Sequence, residues 1–141
     1  MSTHTTLERS QVETIQAITE TTFKPKGKHP YVKMDGFKVI TDKQEIRMGI
    51  YNSQCCCESF GFFMSEDDLS QFVGAELLGI EVVNDCLKPE KLQDIYDGAC
   101  MFVNVKTSEG LLQFTAYNSH NGYYGHDAVV ESEQLNYETS L

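Results

Sequence analysis

From Gly36 onward the apolar positions of the chain fall into a period of two. Phe37, Val39 and Thr41 alternate with polar neighbours, Asp42-Lys43-Gln44 has turn chemistry, and Ile46, Met48 and Ile50 alternate back, which predicts a hairpin with one buried face. Leu77 to Val83 predicts a strand, and Ala99 to Thr107 another with Met101, Val103 and Val105 on one side. Ser108-Glu109-Gly110 closes a hairpin onto Leu111 to Tyr117, where Leu112, Phe114 and Ala116 alternate with Gln113 and Thr115. Ala128 to Ser132 supplies a last short strand.

Three segments carry helix signals. Thr5 or Thr6 is placed to cap a helix running to about Thr22, with Leu7, Val12, Ile15 and Ile18 on a loose apolar stripe. Its many β-branched threonines oppose a helix, and a frayed arm is the alternative. Ser65 followed by Glu66, Asp67 and Asp68 reads as a helix start, with acids where the dipole favours them and Gly74 as the C-terminal stop. Pro89 to Tyr96 reads as a short helix or turn. The expected fold is therefore α+β, a single domain with a mostly antiparallel β-sheet and two or three short helices. It divides into an N-terminal arm over 1–33, a β-rich domain over 34–132 and a polar tail over 133–141.

Charge refines that division. The 141 residues hold 21 Asp plus Glu against 11 Lys plus Arg, a net −10. Residues 1–33 carry Arg9, Lys24, Lys26, Lys28 and Lys33 against Glu8, Glu13 and Glu20, a net of +2, which leaves −12 on the rest. Such a body opposes free nucleic acid and anionic membranes as partners, because each phosphate contact needs a cation. With 40% hydrophobic and 11% aromatic residues the chain can bury an ordinary core. An apolar stretch long enough for a signal peptide or a membrane span is not seen, so a soluble cytoplasmic protein is expected, with its five cysteines as thiols rather than a disulfide framework.

Two segments stand out chemically. In Cys55-Cys56-Cys57-Glu58-Ser59-Phe60, consecutive cysteines on an extended chain point to opposite sides, which does not suit one tetrahedral metal. The favoured reading is small buried side chains packed beside Phe60, Phe62 and Phe63. A zinc site or a catalytic thiol built with His120 or His126 is the alternative. No catalytic residue, metal ligand or cofactor is assigned. The second segment runs from Asn118 to His126. Asn121-Gly122 is a strong turn signal, and the loop offers Asn118, Ser119, His120, Asn121, Tyr123 and Tyr124 as candidate ligand-binding residues, a composition suited to adaptable contact. Tyrosines closing the end of the core are the alternative.

With these two motifs the chain resembles an uncharacterised family of small phage and bacterial proteins, a domain of unknown function. That family pairs a Cys-Cys-Ser-x-x-Trp-like segment with Asn-Ser-x-Asn-Gly-Tyr-Tyr-Gly, here Asn118 to Gly125. The resemblance covers about residues 45–131 and includes Phe72 to Leu77, with Phe60 standing where Trp is usual. It implies a phage-type accessory protein of β-rich fold and carries no established activity. Three functions follow as expectations. The preferred one is a non-enzymatic protein that binds and inhibits a host factor, such as a defence component, through its acidic surface. The next is a binder or sequestering protein for a small nucleotide-like signal, using the Tyr/Asn loop. The last is a thiol- or metal-dependent enzyme. A host protein is the expected partner, and homo-oligomerisation is left open.

Overall fold

The computed structural model describes residues 3–8, 13–27, 30–52, 59–85, 98–119, 127–132 and 135–141. Among them the chain forms ten strands and one 3₁₀ turn, Leu69–Phe72. The strands are β1 (Thr3–Glu8), β2 (Ile15–Phe23), β3 (Met34–Thr41), β4 (Glu45–Tyr51), β5 (Ser59–Met64), β6 (Leu77–Asp85), β7 (Gly98–Thr107), β8 (Gly110–Ser119), β9 (Asp127–Glu131) and β10 (Asn136–Ser140). All pairings are antiparallel. One five-stranded sheet has the order β1-β6-β7-β8-β5, the other β10-β9-β4-β3-β2. Ile80, Val82, Met101, Val103, Val105, Leu112, Phe114 and Ala116 of the first share one buried cluster with Ile15, Val39, Ile46, Met48 and Ile50 of the second. The two sheets therefore pack face to face.

This overturns the α+β expectation, because the described residues contain no α-helix. The stretch from Thr5 to Thr22 forms β1 and β2 instead. Ile15 and Ile18 look helically spaced because a bulge lies between them. Ile15 stands opposite Thr41 and Ile18 opposite Val39, so the extra residue puts both on the core side three positions apart. The Ser65 helix also fails to form. The Ser65 N–H donates to the Gln113 carbonyl (2.8 Å) and its Oγ accepts from the Gln113 N–H (2.9 Å), which holds it beside β8. The cap moves to Asp68, and only the four-residue turn fits before Gly74 takes a φ of 92°. Pro89 to Tyr96 lies outside the described residues. Beyond β9 the chain adds a further edge strand, β10, with Leu135 and Leu141 buried on either side of it.

The N-terminal residues join the two sheets. β1 pairs with β6, then Thr14 bridges Glu76, and the chain enters the second sheet as β2. At this corner the Ile15 N–H donates to the Ala75 carbonyl (2.9 Å), Gly74 to Ile15 (2.8 Å) and Leu77 to Glu13 (2.7 Å). The side chain of Glu13 is fully buried here. It accepts from Thr41 Oγ1 at 2.6 Å and from Gln44 Nε2 at 2.9 Å.

The outer face of the second sheet has a small apolar cluster of its own, Phe23, Met34 and Val129, with Val32 and Tyr51 against it. It fits there because Gly36 and Gly49 stand opposite each other in β3 and β4. A Cβ on Gly49 would lie 2.9 Å from the Phe23 ring and 2.7 Å from the Asp35 carbonyl oxygen. Gly49→Ala is therefore expected to destabilise the fold by roughly 1–3 kcal/mol, measured by urea unfolding. An unchanged midpoint would show that the ring does not rest on this glycine.

Candidate functional site

At one end of the sandwich three turns are tied together through the main chain. The Asp42 N–H donates to the Thr14 carbonyl (3.1 Å), and the Thr14 N–H donates back to Asp42 Oδ1 (3.0 Å). Glu76, bridged to Thr14, accepts at its carbonyl from the Ser108 N–H (3.0 Å) and donates its own N–H to Ser108 Oγ (2.9 Å). The β3–β4 turn, the β7–β8 turn and the 65–76 connection thus meet. They bring the exposed Asp42, Glu66, Asp67, Asp68, Glu76 and Glu109 to one end, with Lys43 as the one base among residues 42–44, 65–76 and 108–109.

Asp68 is the best-held of these carboxylates. Ser70 donates to its Oδ1 through the hydroxyl (2.5 Å) and the main-chain N–H (3.1 Å). Those two bonds, the hydroxyl first, hold its carboxyl below the ordinary Asp value. The sign follows from linkage: the contribution to the turn is present above the unfolded-chain value and is lost as pH falls through the lowered one. Carbon NMR titration is expected to show Asp68 titrating low, and Ser70→Ala to move it upward. No movement in that variant would contradict the assignment.

The opposite end holds the start of β5, the end of β8 and the start of β9. Of the sequence-derived ligand-binding residues, Asn118 and Ser119 are in described strand. Asn118 faces the core, fully buried, and its Nδ2 donates to the Leu141 main-chain oxygen at 3.0 Å. Ser119 ends β8 opposite Ser59 of β5 and Gly98 of β7. His120, Asn121, Tyr123 and Tyr124 lie outside the described residues, as do Cys55, Cys56, Cys57, Cys86 and His126. Their described flanks are close in the fold, since Ser59 pairs with Ser119 and Ile50 pairs with Ala128. Cys100 is buried in β7. Among the described residues no group of three or more His, Cys, Asp or Glu is placed to hold a metal ion, and no helix is long and apolar enough to cross a membrane.

Two cavities escaped sequence reasoning. One, of about 400 Å³, lies where the residues after β2 cross the β9–β10 edge, lined by Lys26, Gly27, Glu131, Tyr137 and Glu138 among others. Glu131 organises it: Oε2 accepts the Lys26 N–H at 2.7 Å and Oε1 pairs with Arg47 Nη2 at 3.2 Å, while Arg47 also lies 5.5 Å from the Phe23 ring centre. The other, of about 360 Å³, opens between β2 and β5 and is lined by Glu20, Thr21, Thr22, Asp35 and Phe62. There Asp35 Oδ1 accepts from Thr22 Oγ1 (2.7 Å) and Asn52 Nδ2 (3.0 Å). Residues widely separated in sequence build both cavities, so no local spacing announces them.

These features define an antiparallel two-sheet protein with exposed carboxylates on the joined turns of one end. Its family follows from comparison of sequences. Residues 7–130 match the domain of unknown function DUF7448, and the chain belongs to that family. The chain is also similar to the uncharacterized protein L278 of Acanthamoeba polyphaga mimivirus, with 30% identity over 96 residues, 65% of this chain and 74% of that protein. No solved structure matches.

Proposed function

We propose that this chain is a viral accessory protein that works by binding, its acidic end engaging a basic surface on a host protein, with a defence component as the target class. One observation carries the reading: six exposed carboxylates gathered on turns that main-chain hydrogen bonds tie to one another. Carboxylates held in a fixed pattern can occupy positions where a nucleic acid would place phosphates, and they steer a basic partner toward the complex. The similarity to a mimivirus protein supports the viral part, and the phage-type motif pair belongs to the same proposal.

The test uses the full chain as bait in lysate of the infected cell type, beside a variant with Glu66→Gln, Asp67→Asn, Glu76→Gln and Glu109→Gln. These leave the Asp42 and Asp68 hydrogen bonds in place. Capture of a basic protein is expected at low salt, with association slowed about tenfold or more in the variant and by added salt. Equal capture by both forms would contradict the reading.

A second reading, binding of a small nucleotide-like ligand through Ser119, His120, Asn121, Tyr123 and Tyr124, with the buried Asn118 beneath them in β8 and not in the contact, is favoured by one observation. The strand ends that flank the cysteine and tyrosine segments are paired neighbours, which suits a shared site. Calorimetry against nucleotides and cyclic dinucleotides tests it, and absence of heat and thermal shift across the panel would remove it.

A further inference from the structure

We propose that the outer edge of β2 is a docking site for an extended basic segment of a partner protein, added as a strand beside β2 with a Lys or Arg side chain entering the cavity between β2 and β5. β2 is the last strand of its sheet, and the described main-chain bonds on its outer side involve only Ile15, at the corner with Gly74 and Ala75. From Gln16 to Phe23 that edge therefore offers N–H and C=O groups without a partner strand among the described residues.

Edges of this kind are usually blunted by lysine, proline or short length. β2 is nine residues long and has neither residue type, and its one bulge lies at the Ile15 end. It is rich in β-branched residues, which favour an extended ladder. An incoming strand would find a regular template along most of its length.

Side chains decide which strand fits. Glu20 is exposed, faces the cavity, and makes no ion pair or hydrogen bond among the described residues. Asp35, across from Thr22, receives both of its described hydrogen bonds on Oδ1 and lines the same cavity. Phe62 supplies an aromatic wall, its ring 5.8 Å from that of Phe37. Two carboxylates beside an aromatic ring suit a cationic side chain with an apolar stem.

The same geometry disfavours a second copy of this chain. Antiparallel pairing of β2 with itself about Thr19 sets each Glu20 opposite Ile18 and diagonal to the other Glu20, placing like charges within cross-strand reach. A basic segment reverses that sign. The surface is separate from the acidic end, so either contact can fail while the other stands.

The experiment follows the amide signals of the full chain by NMR while an acetylated octapeptide of alternating Thr and Lys is added to millimolar concentration. Shifts and slowed exchange are expected over Gln16 to Phe23. Binding should weaken about tenfold or more for the Thr-Glu peptide, for the fully N-methylated Thr-Lys peptide, and for the Glu20→Lys variant. The four-residue variant of the acidic end should bind the peptide as the parent does. The proposal is overturned if the Thr-Lys peptide leaves β2 unperturbed, if N-methylation or Glu20→Lys has no effect, or if β2 becomes protected on raising chain concentration alone. Peptide failure with salt-sensitive capture intact would reject this edge and leave the acidic end standing.

Discussion

Phe114→Ala is expected to cost about 3–5 kcal/mol, a large share of the roughly 5–15 kcal/mol typical of a domain. Phe114 is fully buried at the middle of β8. Its ring lies 6.1 Å from Phe62 beside it and 6.1 Å from Phe37 of the opposing sheet, the latter edge to face. Removing the ring opens a cavity between the sheets and deletes the aromatic contact across them. Phe114→Leu keeps most of the volume and should cost much less, about 1–2 kcal/mol. Urea unfolding with an unchanged slope checks both. A cost under about 1 kcal/mol for the alanine variant would mean the sheets do not share this core.

Glu13→Ala is expected to cost roughly 2–4 kcal/mol, although the residue is polar and belongs to the N-terminal stretch. Its carboxylate satisfies the Thr41 hydroxyl and the Gln44 side-chain amide where the chain passes from one sheet to the other. Thr41 Oγ1 in turn accepts from the N–H groups of Lys43 and Gln44 at 3.1 and 3.0 Å. Loss of the carboxylate would leave buried donors without their acceptor and loosen the β3–β4 turn that carries Asp42. A double-mutant cycle with Gln44→Ala should return a coupling of about 1 kcal/mol. Strict additivity would show that the two side chains do not act together.

Much of the sheet was legible because alternation is a local property. The hairpin from Phe37 to Ile50 and the pair from Met101 to Ala116 show unbroken period two, and they are β3–β4 and β7–β8. Misreading began where the period breaks. The bulge after Ile15 imitates helical spacing, whereas Leu77 to Val83 reads as the strand it forms despite the bulge between Leu77 and Gly79. Ser65 carries the local signs of a helix start, but its two bonds to Gln113, 48 positions away, hold it beside β8. β10 was hidden because its sequence is mostly polar and its apolar anchors, Leu135, Tyr137 and Leu141, are spread along an edge. The surface followed the same rule. The acidic run at 66–68 was visible, whereas its meeting with Asp42, Glu76 and Glu109 depends on pairings between distant residues.

The most direct test of the functional account is hydrogen exchange of this chain, free and bound to the protein captured at low salt. Slowed exchange is expected across 65–76 and in the β3–β4 and β7–β8 turns, diminished in the four-residue variant. Protection confined to the opposite end, around the end of β8 and the start of β9, with the acidic turns unchanged, would contradict it.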